Sequence, residues 1–159
     1  MAADEPLVVM PFDRLRMLIV DDDRAILDLV DAVLRLVGVG SVTKSASGLG
    51  ALNILADQRK RIDCIICDHS MPNMTGIELL RGIRTGQYDQ VPRDTKFIMI
   101  TAYGQEAVVR AALGLDVNGY IVKPINKDAL VKAIHRAYGR PLALKSAEEY
   151  AAVQPPPDI

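Results

Sequence analysis

Residues 62 to 76 decide the fold of this chain and read Ile62-Asp63-Cys64-Ile65-Ile66-Cys67-Asp68-His69-Ser70-Met71-Pro72-Asn73-Met74-Thr75-Gly76. Four consecutive apolar residues are typical of a strand buried on both faces, as in a parallel sheet covered by helices. The strand ends on Asp68, and in open sheets of this kind ligands bind beyond the carboxyl ends of the strands. Thr75 and Glu78 have the spacing of a capping box, which predicts that a helix begins there.

The same alternation continues on both sides of this stretch. Further strands are predicted at residues 16–20, 39–46, 96–101 and 119–122, and each is followed by apolar residues at helical spacing. Polar Ser41, Thr43 and Lys44 in the second strand favour an edge position. Five strands alternating with five helices predict an α/β fold, a doubly wound parallel sheet with helices on both faces.

The length and composition fit a single domain. The chain has 159 residues, of which 50% are hydrophobic, enough for one substantial core. We assign residues 1–15 to an N-terminal extension with a short apolar patch at residues 7–10, and residues 16–139 to the domain. Residues 140–159, with a proline run at 155–157 and a short helix near residues 143–152, are expected to form a flexible or loosely docked tail. Docking through Leu142, Leu144 and Tyr150 is the alternative.

Charge and cysteine spacing exclude several functions. The formal net charge of −1 gives no overall field that would attract nucleic acid or a membrane surface, and no run is long enough to span a bilayer. We therefore expect a cytoplasmic protein. Cys64 and Cys67 have C-x-x-C spacing, but residues three apart on a strand point to opposite faces. We interpret them as buried core residues and not as a redox or zinc pair.

Polar and charged side chains follow the predicted strands where each one ends. Asp21, Asp22 and Asp68 should lie close together at two adjacent strand ends, and such carboxylates repel one another unless a cation neutralises them. Oxygen ligands of this kind suit Mg²⁺. Thr101 and Lys123 end two other strands and add a hydroxyl and a positive charge suited to phosphoryl oxygens. The pattern predicts metal-assisted phosphoryl chemistry.

These motifs resemble the receiver domain of two-component response regulators, in the manner of the stand-alone chemotaxis-type receivers. The resemblance covers about residues 16–139 and rests on Val20-Asp21-Asp22, Asp68-x-x-Met71-Pro72-x-Met74-x-Gly76, Thr101-Ala102 and Lys123-Pro124. It implies a flavodoxin-like (βα)5 fold with strand order 2-1-3-4-5. It also implies a cis peptide bond before Pro124.

The resemblance assigns roles to individual residues. It implies that Asp68 accepts a phosphoryl group, that Thr101 and Lys123 bind its oxygens, and that Thr101 and Tyr120 form a conformational switch. It further implies that Mg²⁺ or Mn²⁺ is held by three carboxylates, those of Asp21, Asp22 and Asp68, and by the backbone carbonyl of Ser70. Ser70 and Tyr103 occupy the two positions that flank the path of the hydrolytic water, and we expect bulky Tyr103 to prolong the phosphorylated state. Asp23 is interpreted as a helix cap, and His69 as a flanking residue.

The implied partners are proteins. The donor would be a sensor histidine kinase or a histidine phosphotransfer protein, and the output would pass to a downstream protein through the last two helices and the last strand, a face that also serves for dimerisation in the family. The chain would catalyse only its own phosphorylation and dephosphorylation.

Other functions compete for the same residues. In a haloacid-dehalogenase-like phosphatase Asp21 would be the nucleophile, but Ala25 departs from that pattern and the chain lacks room for the usual cap. A receiver-like scaffold that is never phosphorylated would not need the full set of site residues. Flavin binding is disfavoured because no loop rich in Ser, Thr and Gly follows the first strand.

Overall fold

The computed structural model describes residues 11–157 as one five-stranded parallel sheet with helices on both faces. The strands are β1 (Arg16–Val20), β2 (Ser41–Ser45), β3 (Cys64–Asp68), β4 (Lys96–Thr101) and β5 (Gly119–Val122). The helices are α1 (Arg24–Leu36), α2 (Gly48–Ala56), α3 (Gly76–Arg84), α4 (Glu106–Gly114), α5 (Lys127–Gly139) and α6 (Ala147–Ala151). The apolar patch at residues 7–10 lies outside the described residues.

The strand order is β2-β1-β3-β4-β5, and every adjacent pair is parallel. The expected fold and strand order are therefore confirmed, and β2 does occupy an edge. It is shorter than expected, because residues 39 and 40 contribute to the turn after α1 and pairing with β1 starts at Ser41. The Lys123–Pro124 peptide bond is cis.

The sheet separates two apolar cores. The face toward α1 and α5 carries Met17, Ile19, Cys64, Ile66, Ile98 and Ile100. The face toward α2, α3 and α4 carries Leu18, Val20, Ile65, Cys67, Phe97 and Met99. Residues alternate between the faces along each strand, as the pleat requires. Cys64 and Cys67 are thus buried, free thiols in different cores, as predicted.

Two polar caps begin the helices that follow β1 and β3. The side chain of Asp23 accepts a hydrogen bond from the Ala25 amide at 2.9 Å, and Thr75 Oγ1 accepts one from the Glu78 amide at 3.2 Å. Both predicted helix starts are confirmed, and each cap satisfies an amide that has no partner within its helix. At Gly76 a Cβ atom would lie 2.8 Å from the backbone oxygen of Asp68, so only glycine lets α3 begin this close to the strand end.

A fully buried arginine connects α3 to the amino ends of β4 and β5. The guanidinium of Arg84 donates hydrogen bonds of 2.6–3.0 Å to four backbone carbonyls and one side-chain amide oxygen, those of Arg93, Thr95, Leu115, Asp116 and Asn118. A buried charge is tolerated when its donors are all satisfied in this way. Arg84 therefore fixes the loop between α4 and β5 against α3.

The C-terminal segment is docked, which differs from the flexible tail expected from its composition. Helix α6 lies against α3, and Tyr150 is fully buried in the core that α3 and α4 share. The Arg81 guanidinium donates to the carbonyls of Tyr150, Ala151 and Val153 at 3.3, 3.0 and 2.7 Å. One aromatic anchor and these hydrogen bonds overcome the polar and proline-rich composition. Leu144, considered above as a docking residue, is exposed.

Candidate functional site

Parallel pairing brings the carboxyl ends of the central strands to one end of the sheet. Asp68 is the last residue of β3 and pairs with Ile100 of β4, while Asp21 directly follows β1. Thr101 ends β4, and Lys123 directly follows β5. These four side chains, which the sequence placed at strand ends, therefore lie at the same end of the sheet.

Three carboxylates meet there, and we call Asp21, Asp22 and Asp68 the acidic cluster. Each offers an oxygen atom within 4.8 Å of the others. Asp21 and Asp68 are buried, whereas Asp22 is exposed. The pKa of Asp21 is raised to about 6, chiefly because burial removes water from its charged form, and the charge of Asp68 adds to the effect. Burial also raises the pKa of Asp68, although the Lys123 ammonium opposes this shift.

The hydrogen bonding of Asp21 shows whether the acidic cluster suits a cation. Asp21 Oδ1 accepts a hydrogen bond from the Asp23 amide at 2.8 Å, but the buried Oδ2 atom has no hydrogen-bond partner among residues 11–157. A buried carboxylate oxygen without a donor is costly, and a hard cation with oxygen ligands would satisfy it. The residues present therefore fit a divalent metal ion.

A hydroxyl and an ammonium group stand beside the acidic cluster. Lys123 Nζ lies 3.5 Å from Asp68 Oδ1 and is partly exposed. Thr101 Oγ1 is buried and, within the described part of the chain, has no hydrogen-bond partner. An unpaired hydroxyl and an ammonium on one side of a carboxylate, with further acids on the other, suit an anionic group attached to that carboxylate.

The remaining predicted site residues lie at the rim. Ser70 is exposed in the loop after β3, and Tyr103 is 92% exposed in the loop after β4. Tyr120 lies on β5 and is 40% exposed. Tyr103 and Tyr120 line one open cavity on the surface between α4 and β5. None of these three is part of the acidic cluster.

Two residues near the site were not identified from the sequence. His69, interpreted there as a flanking residue, is buried, and its Nδ1 atom accepts a hydrogen bond from the Ile77 amide at 3.4 Å. Gln105 directly precedes α4 and bonds to Ala102 and Ser70. The register at which α3 packs on Asp68 and the turn that precedes α4 create these contacts, and no sequence motif marks either residue.

A doubly wound α/β sheet with an acidic cluster, a threonine hydroxyl and a lysine ammonium at its carboxyl end defines the class of protein. The chain belongs to the response regulator receiver domain family, whose model matches residues 17–135. It is a receiver of the chemotaxis type, and the resemblance seen in the sequence is confirmed. Within residues 11–157 no helix is long and apolar enough to cross a bilayer.

Individual relatives support this assignment. Chemotaxis protein CheY-3 of Vibrio cholerae is 32% identical over 126 residues, covering 79% of this chain and 93% of that protein. Chemotaxis protein CheY of Pseudomonas aeruginosa is 31% identical, covering 79% of this chain and 98% of that one. The crystal structure of Vibrio cholerae CheY4 superimposes with a TM-score of 0.67 and 31% identity, over 78% of this chain and 98% of that chain.

Proposed function

We propose that this receiver is a phosphorylation switch that accepts a phosphoryl group on Asp68 from a sensor histidine kinase or a histidine phosphotransfer protein. The observation that carries the proposal is the setting of Asp68. This carboxylate is the one member of the acidic cluster that also faces the Lys123 ammonium, at 3.5 Å. An anion bound covalently to Asp68 would meet positive charge on one side and a metal site on the other.

Asp68 would act as the nucleophile. One of its carboxylate oxygens attacks the phosphorus of the donor, and a new O–P bond forms as the bond from phosphorus to the donor's imidazole nitrogen breaks. The electron pair of the broken bond stays on that nitrogen. Lys123 and Thr101 would bind the phosphoryl oxygens as charge redistributes, the ammonium by charge and the Thr101 hydroxyl by donating the hydrogen bond that it does not otherwise make.

Asp21, Asp22, Asp68 and the backbone carbonyl of Ser70 would hold Mg²⁺ or Mn²⁺. When bound, the ion supplies neutralisation of the negative charge on the phosphoryl oxygens. Asp22, being exposed, leaves this side of the site open to the ion from solvent.

The output would pass through the surface formed by α4, β5 and α5. Its exposed apolar residues include Tyr120 and Val122, and Tyr103 lines the same cavity from the loop before α4. Recruitment of the Thr101 hydroxyl to a phosphoryl group would shift the loop that follows β4 and bias the position of Tyr120, which changes what this surface presents. A downstream protein or a second copy of the chain would read that change.

Intact-protein mass after incubation with acetyl phosphate tests the proposal. With Mg²⁺ we expect a gain of one phosphoryl group that maps to Asp68, and without Mg²⁺ or in Asp68→Asn we expect none. Asp128→Asn, an exposed acid on α5, serves as the matched control and should be labelled like the wild type. A label on Asp21 would favour the phosphatase-like alternative. If neither acetyl phosphate nor a phosphohistidine donor labels the protein, the proposal fails and a scaffold remains.

Replacing Tyr103 with alanine should shorten the lifetime of the phosphorylated protein. The side chain is exposed in the loop after β4. We expect it to restrict the in-line approach of water to a phosphoryl group on Asp68. We expect loss of the label to become faster by up to about tenfold, which corresponds to ~1.4 kcal/mol in the barrier. The measurement is the decay of phosphorylated mass after removal of the donor. Leu113→Ala removes an exposed side chain at the far end of α4 and should leave the lifetime unchanged, and an equal lifetime in Tyr103→Ala would contradict the prediction.

A further inference from the structure

The side chain of Gln105 stabilises the loop between β4 and α4. Its Oε1 atom accepts a hydrogen bond from the Ala102 amide at 2.9 Å, and its own backbone amide donates to the Ala102 carbonyl at 3.4 Å. Its Nε2 atom donates to Ser70 Oγ at 3.4 Å. Gln105 thus connects the loop after β4 with the loop after β3, and both loops border the phosphoacceptor.

The Ala102 amide points toward the side of the sheet that carries Asp68. The carbonyl of Thr101 accepts a hydrogen bond from the Lys123 amide at 2.8 Å, so it points toward β5. The amide of Ala102 belongs to the same trans peptide unit and must point the opposite way, toward β3. Asp68 ends β3 and pairs with Ile100, two residues before Ala102. A group attached to Asp68 would therefore approach this amide.

We propose that the side chain of Gln105 competes with the phosphoryl group for the Ala102 amide. This inference rests on the proposed phosphorylation of Asp68. An amide has one hydrogen to donate, and a phosphoryl oxygen is a stronger acceptor than a neutral carboxamide. In the unphosphorylated protein Gln105 Oε1 takes the place of that oxygen, and phosphorylation displaces it. Gln105 is thus a positioning residue that opposes the phosphorylated state.

Displacement of Gln105 has consequences for both loops that it joins. The residue is the N-cap of α4 but makes no side-chain cap bond to the helix, because its carboxamide is directed back to Ala102. Once released, the side chain no longer ties the start of α4 to Ser70. The hydrogen bond from Ala102 thereby couples occupancy of Asp68 to the start of α4, which is one of the elements of the proposed output surface.

A merely structural role would have the opposite effect. If Gln105 only stabilised the turn, its removal would disorder the loop and phosphorylation would become slower or stay the same. If Gln105 competes, its removal frees a donor for the phosphoryl group and phosphorylation becomes faster. The sign of the change in rate therefore separates the two roles.

The first experiment compares the rates of labelling by acetyl phosphate at saturating Mg²⁺. Gln105→Ala should be phosphorylated about two- to tenfold faster than the wild type, the range expected for one hydrogen bond. Gln105→Glu should be slower than the wild type, because a carboxylate holds the amide more strongly and repels the phosphoryl group. Gln90→Ala, an exposed glutamine in the loop before β4, is the matched control and should not change the rate.

The second experiment observes the amide itself by ¹H–¹⁵N NMR. The Ala102 resonance should differ between Gln105→Ala and the wild type before phosphorylation, and it should coincide in the two proteins after phosphorylation by acetyl phosphate. Equal or slower labelling of Gln105→Ala, or a difference at Ala102 that persists after phosphorylation, would overturn the inference while Asp68 is still labelled. Absence of label at Asp68 in every protein would instead overturn the proposed function, and this inference with it.

Discussion

Asp21→Asn is expected to abolish Mg²⁺-dependent phosphorylation of Asp68 while it makes the metal-free protein more stable. These opposite effects follow from one feature, a buried carboxylate whose Oδ2 atom has no hydrogen-bond partner in the described part of the chain. The buried acid destabilises the metal-free fold. We attribute its presence at this position to its role in metal binding. Asparagine preserves the shape of the side chain and can still accept the hydrogen bond from the Asp23 amide.

The sign of the stability effect follows from the pKa of Asp21. The fold raises this pKa from 3.8 to about 6, mainly through burial, so folding favours the protonated acid. The penalty on the charged form is complete above about pH 6 and disappears as the pH falls below about 4. At pH 7 it corresponds to about 3 kcal/mol. In EDTA, the contribution of Asp21 should therefore make the free energy of unfolding of the wild type larger at pH 5 than at pH 7.

Urea unfolding in EDTA checks the stability prediction. Asp21→Asn should raise the free energy of unfolding at pH 7 by ~1–3 kcal/mol and should flatten the dependence on pH between 4 and 7. The new amide can donate to the neighbouring carboxylates, which adds to the gain. Asp128→Asn is the control for a change in net charge. A variant less stable than the wild type at pH 7 would show that Asp21 supports the fold through a contact other than those described.

The functional effect is measured on the same protein. Loss of one carboxylate ligand should lower Mg²⁺ affinity more than the 10- to 100-fold typical of residues that only support a ligand, and labelling by acetyl phosphate should fall below detection at millimolar Mg²⁺. Burial raises the pKa of Asp21, so protons compete with the cation for this carboxylate, and at subsaturating Mg²⁺ labelling of the wild type should also decline as the pH is lowered. Labelling of Asp21→Asn at the wild-type rate would contradict the assignment of Asp21 as a metal ligand.

The sheet and the acidic cluster were predictable because both depend on local patterns. Buried parallel strands appear in the sequence as continuous apolar runs, and the residue that follows each run lies at the carboxyl end of the sheet whatever the loops do. Asp21, Asp68, Thr101 and Lys123 were found for this reason. Their distances follow from the strand order, which the family resemblance supplied, and from the strand register, which only the structure shows.

Contacts that depend on the path of a loop were not predictable. Gln105 reaches Ala102 only because its backbone, at φ −95° and ψ 55°, is not yet helical and turns the side chain back. No periodicity marks that conformation. The docking of the C-terminal segment includes a hydrogen bond from the Tyr150 hydroxyl to Asp116, a residue 34 positions earlier in the chain with a positive φ of 51°. The composition of this segment indicated flexibility, because composition does not show whether a single aromatic residue such as Tyr150 packs into the core.

Tyr150→Ala is the second prediction with a large effect, and it tests whether the C-terminal segment is part of the fold. The Tyr150 hydroxyl donates to Asp116 Oδ2 at 2.7 Å and accepts from the Lys145 amide at 3.1 Å, while the ring is fully buried between α3 and α4. Truncation removes a large aromatic from a packed core, and the expected loss is about 3–5 kcal/mol in the free energy of unfolding.

The design separates the ring from the hydroxyl. Tyr150→Phe keeps the ring and should lose about 1–2 kcal/mol, because the Lys145 amide and the Asp116 carboxylate each lose a partner. Leu144→Ala, at an exposed position in the same segment, should change stability by less than about 0.5 kcal/mol. Urea unfolding gives the global stability, and limited proteolysis after Gly139 reports detachment of the segment. If the segment detaches before the domain unfolds, Tyr150→Ala will be cleaved faster with little change in the urea midpoint. If Tyr150→Ala matched the wild type in both assays, the side chain of Tyr150 would contribute nothing to stability or to docking. The flexible tail predicted from the composition of this segment would then be correct.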